Sequence, residues 1–90
     1  MNPQEIKLLL KEIFHEIAPE IEFDNLDTSR ALRDQADIDS FDFYRIIVMV
    51  NQRTGVNVPD SKVAEFRNMD QLINYISEQP NHRPQQSTVQ

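Results

Sequence analysis

Apolar residues recur along this chain at helical spacing, in blocks separated by polar stretches. Ile6, Leu9, Leu10, Ile13, Phe14 and Ile17 fall three and four positions apart and define one face of a helix, with Lys7, Lys11, Glu12 and Glu16 on the other side. The start of this segment is well marked. Asn2 can cap, Pro3 suits the first helical position, and Glu5 stands three residues after the cap. Pro19 cannot continue a helix, so the first segment is expected to end near Ala18.

Residues 20–37 are mostly polar and read as a long connection. Ile21, Phe23, Leu26 and Leu32 are spaced through it and are expected to pin it to the core, with a single helical turn starting at Asp27, Thr28 and Ser29. Connections this long in a small domain are usually functional or disordered, and the apolar anchors favour order. A second helix is predicted from Ser40 to Arg53, with Gly55 at the C-cap position. At 100° per residue, Phe43, Ile46, Ile47 and Val50 share a core-facing side, opposite Asp42, Arg45, Gln52 and Arg53. Phe41, Val48 and Met49 fall on or near the polar side. Either they form a contact patch, or the long loop covers them.

Val56-Asn57-Val58-Pro59 reads as a short extended link. Asp60 is expected to cap a brief third helix with Val63 and Phe66 facing inward. Asn68 caps the last helix, Gln71 takes the reciprocal capping-box position, and Met69, Leu72, Ile73 and Ile76 supply its buried stripe. From residue 79 the chain is rich in Pro, Gln, Asn, Ser and Thr, which cannot repay the entropy of ordering. The expectation is an all-α domain over residues 1–78 and a disordered tail over residues 79–90.

Composition narrows the function. Ninety residues make one small domain. With no cysteine, disulfides and thiolate metal sites are excluded. A single glycine leaves no phosphate-cradling loop or dinucleotide fingerprint. The net charge of −6 opposes nucleic-acid backbones and anionic membranes and favours partners with basic surfaces. No apolar run is long enough to span a membrane, and Met1-Asn2-Pro3-Gln4-Glu5 lacks the features of a signal peptide, so the expected setting is cytoplasmic, with a monomer as the default state.

Catalytic chemistry lacks its parts. His15 and His82 are the histidines, and neither is near Ser40 in sequence; both read as solvated imidazoles. Asp34, Asp37, Asp39 and Asp42 fail as a calcium loop. Starting from Asp37, Phe41 and Asp42 occupy the positions that need a ligand and a glycine; starting from Asp34, Ala36 falls at loop position 3, which needs a ligand. No metal site and no catalytic residue is expected.

What remains is Asp39-Ser40-Phe41-Asp42, a serine at the predicted start of an apolar helix. Free N–H groups and the positive end of the helix dipole favour a phosphate there. On these two residues alone, plain helix capping is the more ordinary account of Asp and Ser at such a place.

With this motif, the helix–long loop–helix–short helix–helix order, the Val56–Asp60 link and the Met69–Ile76 segment, residues 4–78 resemble the acyl carrier protein family, which includes peptidyl carrier domains. The resemblance implies a four-helix bundle with a short third helix. It implies that Ser40 receives 4′-phosphopantetheine from coenzyme A through a separate phosphopantetheinyl transferase, with Asp39 helping to present it. The arm then carries acyl or aminoacyl groups as thioesters between loading and transferring enzymes, so a cysteine-free chain gains a thiol. Partner docking is implied for Phe41, Asp42, Arg45, Val48 and Met49, and an acyl pocket for Ile46, Ile47, Val50, Val58 and Phe66. The chain departs from the family pattern where Arg45, Asn51, Gln52 and Arg53 replace commonly acidic positions and Asp37 replaces a usual glycine. These departures favour a specialised carrier over the housekeeping fatty-acid one. The alternatives are a carrier-like adaptor without a prosthetic group and a small hydrolase.

Overall fold

In the computed structural model, residues 2–79 are described. The expected tail over residues 79–90 therefore lies outside the described residues except for Gln79, and His82 lies outside them too. Four α-helices occur among the described residues: α1 (Pro3–Ile17), α2 (Ser40–Thr54), α3 (Asp60–Val63) and α4 (Met69–Glu78). The bundle is all-α, as the periodicity predicts.

The predicted helix starts are realised in α1 and α4. Asn2 Oδ1 accepts the Glu5 N–H at 2.8 Å and Glu5 Oε1 accepts the Asn2 N–H at 3.1 Å. Asn68 Oδ1 accepts the Gln71 N–H at 2.9 Å, and Gln71 Oε1 accepts the Asn68 N–H at 3.2 Å. Each box satisfies donors that the first helical turn leaves without an intrahelical partner. Gly55 ends α2 in the left-handed region at φ 77°, where a side chain would be strained. Beyond it, Thr54 and Asn51 hold the link: Thr54 Oγ1 accepts the Val56 N–H at 3.0 Å and Asn51 Nδ2 donates to the Val56 carbonyl at 2.9 Å.

The core sits where α1 packs against α2 and α4. Ile6, Leu10, Ile13 and Phe14 meet Ile46, Ile47 and Val50 from α2 and Met69, Leu72, Ile73 and Ile76 from α4. Full burial of a side chain such as Ile46 contributes about 1.5–3 kcal/mol. Phe43, expected on the core side, is only half-buried at its edge. Arg53 fastens the outer faces of α2 and α1, pairing with Glu12 at 3.2 Å and also with Glu16.

The long loop is ordered, and it holds two 3₁₀ turns besides the turn expected at Asp27. Short 3₁₀ turns form at Phe23–Asn25 and Leu32–Asp34. A single hydrogen-bonded turn begins at Asp27, where the Arg30 N–H donates to the Asp27 carbonyl at 3.1 Å, but it is not extended into a helix. Instead Asp27 Oδ1 accepts both the Ser29 N–H at 3.0 Å and the Ser29 hydroxyl at 2.6 Å, a local side-chain competitor to helix. Leu32 is buried, while Ile21, Phe23 and Leu26 pack against the core from its edge; the Phe23 ring meets Phe14 edge-to-face at 5.3 Å. Gln35 closes the loop from within, its Nε2 donating to the Asp27 and Arg30 carbonyls at 2.8 and 3.1 Å. The loop is tied to the start of α4 as well. Leu32 N–H donates to the Arg67 carbonyl at 2.9 Å, and Asp70 N–H to the Thr28 carbonyl at 3.0 Å.

Asp60 is the first residue of α3 rather than its cap; Pro59 holds the cap position and makes no side-chain bond. Val63 and Phe66 turn inward as expected, half-buried against the core, with the Phe66 ring edge-to-face with Tyr75 at 5.7 Å.

Candidate functional site

Ser40 opens α2, but Asp39 caps it. The Asp39 carboxylate accepts the Asp42 N–H at 2.8 Å, and its carbonyl accepts the Phe43 N–H at 3.0 Å. The hydroxyl of Ser40 is thus not used by the helix, and the residue is exposed. Its partner comes from the loop: Arg33 Nη2 donates to Ser40 Oγ at 2.7 Å. A guanidinium does not act as a base at neutral pH, so this bond orients the hydroxyl without deprotonating it. His15 is exposed near the end of α1, and no hydrogen bond joins it to Ser40.

Beside Ser40 lies a cleft of about 590 Å³. One wall comes from the loop, with Leu32, Arg33 and Ile38, and another from the first turns of α2, with Ser40, Phe43 and Tyr44. The third is α3 and the residues after it, with Asp60, Val63, Phe66 and Arg67. The lining is mixed, with apolar side chains such as Phe43, Val63 and Phe66 beside charged groups at Arg33, Asp39, Asp60 and Arg67.

The acyl pocket expected on Ile46, Ile47, Val50, Val58 and Phe66 coincides with this cleft at Phe66. Of the expected lining residues, Phe66 lines this cleft, whereas Ile46, Ile47, Val50 and Val58 are enclosed in the core. The α2 face that packs on α1 and α4 takes those side chains; the side toward α3 is carried by Phe43 and Tyr44.

The expected docking residues divide. Phe41 is 69% exposed and Val48 38%, and Tyr44 between them is 50% exposed, so an apolar stripe follows α2 from Ser40 outward. Met49 does not belong to it: it is half-buried and packs on the core edge. Asp42 and Arg45 lie beside the stripe and approach each other to 3.8 Å. The loop leaves Phe41 and Val48 uncovered, so the expectation that it covers them is not met. Tyr44 and Arg33 were missed. Tyr44 sits three residues after Phe41, within reach of the same helical-spacing argument; Arg33 is seven residues before Ser40, and nothing in sequence shows the loop returning it there.

Among the described residues no group of His, Asp or Glu side chains is arranged to hold a metal ion, and no helix is long and apolar enough to cross a membrane.

An exposed serine at a helix start, beside a partly apolar cleft, suits a protein that receives and shelters a group. The chain belongs to the phosphopantetheine-binding family of acyl carrier proteins. The family described as "Phosphopantetheine attachment site" matches residues 4–76. The acyl carrier protein of Acidothermus cellulolyticus is 26% identical over 77 residues, covering 86% of this chain and 90% of that protein. The meromycolate extension acyl carrier protein of Mycolicibacterium aurum is 30% identical over 84 residues, 93% of this chain and 86% of its own length. The acyl carrier protein of Renibacterium salmoninarum is 32% identical over 77 residues, 82% and 90% respectively.

Proposed function

We propose that Ser40 is the attachment residue through which this carrier protein holds acyl groups on 4′-phosphopantetheine, and that it is a carrier without catalytic activity of its own. Family membership establishes the carrier function and the prosthetic group. The observation that supports Ser40 is its exposed hydroxyl, left free by the Asp39 cap, beside the cleft. The residues present fit the group. The first-turn N–H groups and Arg33 suit a phosphodiester, and the cleft suits the pantetheine and the start of an acyl chain. When bound, the group supplies a thiol on which acyl chains are held as thioesters.

This chain's own residues then bind and present. Phe43, Val63 and Phe66 offer apolar surface to a carried chain. Phe41 and Val48, with Tyr44, form the surface that a phosphopantetheinyl transferase and the loading and transferring enzymes would contact. Asp39 fixes the backbone on which Ser40 is presented. The charge pattern of α2 supports a specialised carrier. Arg53 is engaged by Glu12 and Glu16, and Asp42 is partly offset by Arg45, so α2 lacks an acidic docking face. One of the similar proteins is itself named for meromycolate extension.

A fluorescent coenzyme A analogue and a promiscuous transferase test the reading. The wild type takes up label and Ser40→Ala does not, while both keep the same circular dichroism. Equal labelling of both would place the attachment elsewhere. Failure of both to take label, with a control carrier labelled, would favour the adaptor alternative.

A further inference from the structure

The bond from Arg33 to Ser40 raises a question of charge. Leu32, beside it in the 3₁₀ turn, is buried and bonded through its N–H to the Arg67 carbonyl, which fixes this stretch of loop over the start of α4. Arg33 is left exposed, and its guanidinium reaches Ser40 Oγ at 2.7 Å. Asp34, Asp37, Asp39 and Asp42 crowd the same segment. Yet among the described residues Arg33 pairs with none of them, whereas Arg45 approaches Asp42 and Arg53 takes Glu12 and Glu16. A carboxylate is a much stronger partner for a guanidinium than a neutral hydroxyl. The cation is therefore held at the point where an anion would be attached.

Resting on the assignment of Ser40 as the attachment residue, we propose that Arg33 is the phosphate-binding residue of this carrier, holding the phosphodiester that joins the arm to Ser40. The donor already lies within hydrogen-bond distance of the oxygen that bonds to phosphorus, so its fork needs little displacement to reach the non-bridging oxygens. Backbone donors add to it. Asp39 occupies the N–H groups of Asp42 and Phe43, which leaves those of Ser40 and Phe41 for the same anion. The cation is needed here because the chain is acidic. Without Arg33, a phosphodiester on Ser40 would stand beside Asp39 and a cleft lined by Asp60 as well as Arg67, with the like charges of the two aspartates opposing its ordered position and Arg67 the remaining cation of that lining. With it, the root of the arm is fixed next to the apolar walls that would receive what the arm carries.

The test uses the full chain loaded from coenzyme A by a transferase, with loading verified by intact mass. Wild type, Arg33→Gln and Arg33→Lys are compared by phosphorus NMR, by hydrogen exchange of the arginine side chain, and by melting of the apo and loaded forms. Loading the wild type is expected to slow exchange at the Arg33 guanidinium roughly tenfold, the protection that a bond to a charged group confers. It is also expected to give a phosphorus resonance distinct from that of the loaded chain unfolded in urea. In Arg33→Gln that resonance moves toward the unfolded value and the melting difference between loaded and apo forms shifts against the loaded form; Arg33→Lys is intermediate. Identical phosphorus resonances in loaded wild type and Arg33→Gln, with Arg33 exchange unchanged by loading, would overturn the proposal and leave the Ser40 assignment standing. No mass gain on the wild type, with a control carrier loaded, would overturn both. The exchange measurement on wild type needs no variant, so it decides even if Arg33→Gln folds poorly.

Discussion

The Asp39 carboxylate accepts the Asp42 N–H at 2.8 Å, so the aspartate stabilises the start of α2 and the neighbouring serine does not. Two adjacent residues that both belong to the usual capping set thus have separable roles. Asp39→Ala should lower stability by about 1 kcal/mol in urea denaturation. Ser40→Ala, which loses an exposed hydroxyl, should stay within about 0.5 kcal/mol of wild type. A larger loss for Ser40→Ala would make its hydroxyl structural.

The apolar stripe on α2 makes a contrast with its buried side. Phe41→Ala and Val48→Ala should slow transfer to and from partner enzymes while changing the melting temperature little, since both side chains already face solvent. Ile46→Ala empties part of the core and should cost about 2–5 kcal/mol, a large share of the stability of a small domain. A fall in melting temperature for Phe41→Ala comparable to that for Ile46→Ala would refute its docking role.

How far the sequence could be read depended on the range of the interactions involved. The two capping boxes and the buried stripes of α1 and α4 were legible because their partners lie three or four residues apart. Asp39 and Ser40 were legible as a helix start but not as cap and first residue, since either can fill the cap and only the backbone decides. The loop was anchored by the residues expected, Ile21, Phe23, Leu26 and Leu32, and turns at Asp27, but its two 3₁₀ turns were not foreseen. Asp27 bonds Ser29 locally, and Gln35 and the start of α4 hold the rest through contacts distant in sequence. The same blindness hid Arg33. The wheel for α2 found its buried face, with Ile46, Ile47 and Val50 enclosed, but could not tell which neighbour covers which side, so the cleft that Phe43 and Tyr44 line was not foreseen.

Arg53 reaches two glutamates of α1, but the three side chains are partly solvated. Each pair is worth about 0.2–1 kcal/mol. Arg53→Met should therefore lower stability by no more than about 2 kcal/mol at low salt, with much of the difference vanishing near 1 M salt, where the screening length is about 3 Å. A difference that persists undiminished in salt would mean that Arg53 acts mainly through packing of its aliphatic stem.

Asp27 carries a pH dependence of known sign. The hydroxyl and N–H of Ser29 both donate to its carboxylate and hold its pKa below the ordinary aspartate value. The group therefore stabilises the fold above the unfolded pKa, and that contribution fades as pH falls through the lower folded value. Asp27→Asn should flatten part of the acid limb of a stability–pH curve and leave its neutral region's slope unchanged. An acid limb identical to that of wild type would show that the Asp27 carboxylate does not contribute to it.

The claim on which the rest stands is that Ser40 bears the prosthetic group. Tandem mass spectrometry of the proteolysed chain, after incubation with coenzyme A, magnesium and a promiscuous transferase, tests it most directly. The account predicts one phosphopantetheinyl group on the peptide that contains Asp39-Ser40-Phe41, with fragment ions assigning it to Ser40 and none on Ser29, Ser61, Ser77 or Ser87. Modification of another serine, or a folded chain that stays unmodified while a control carrier is loaded, would contradict it.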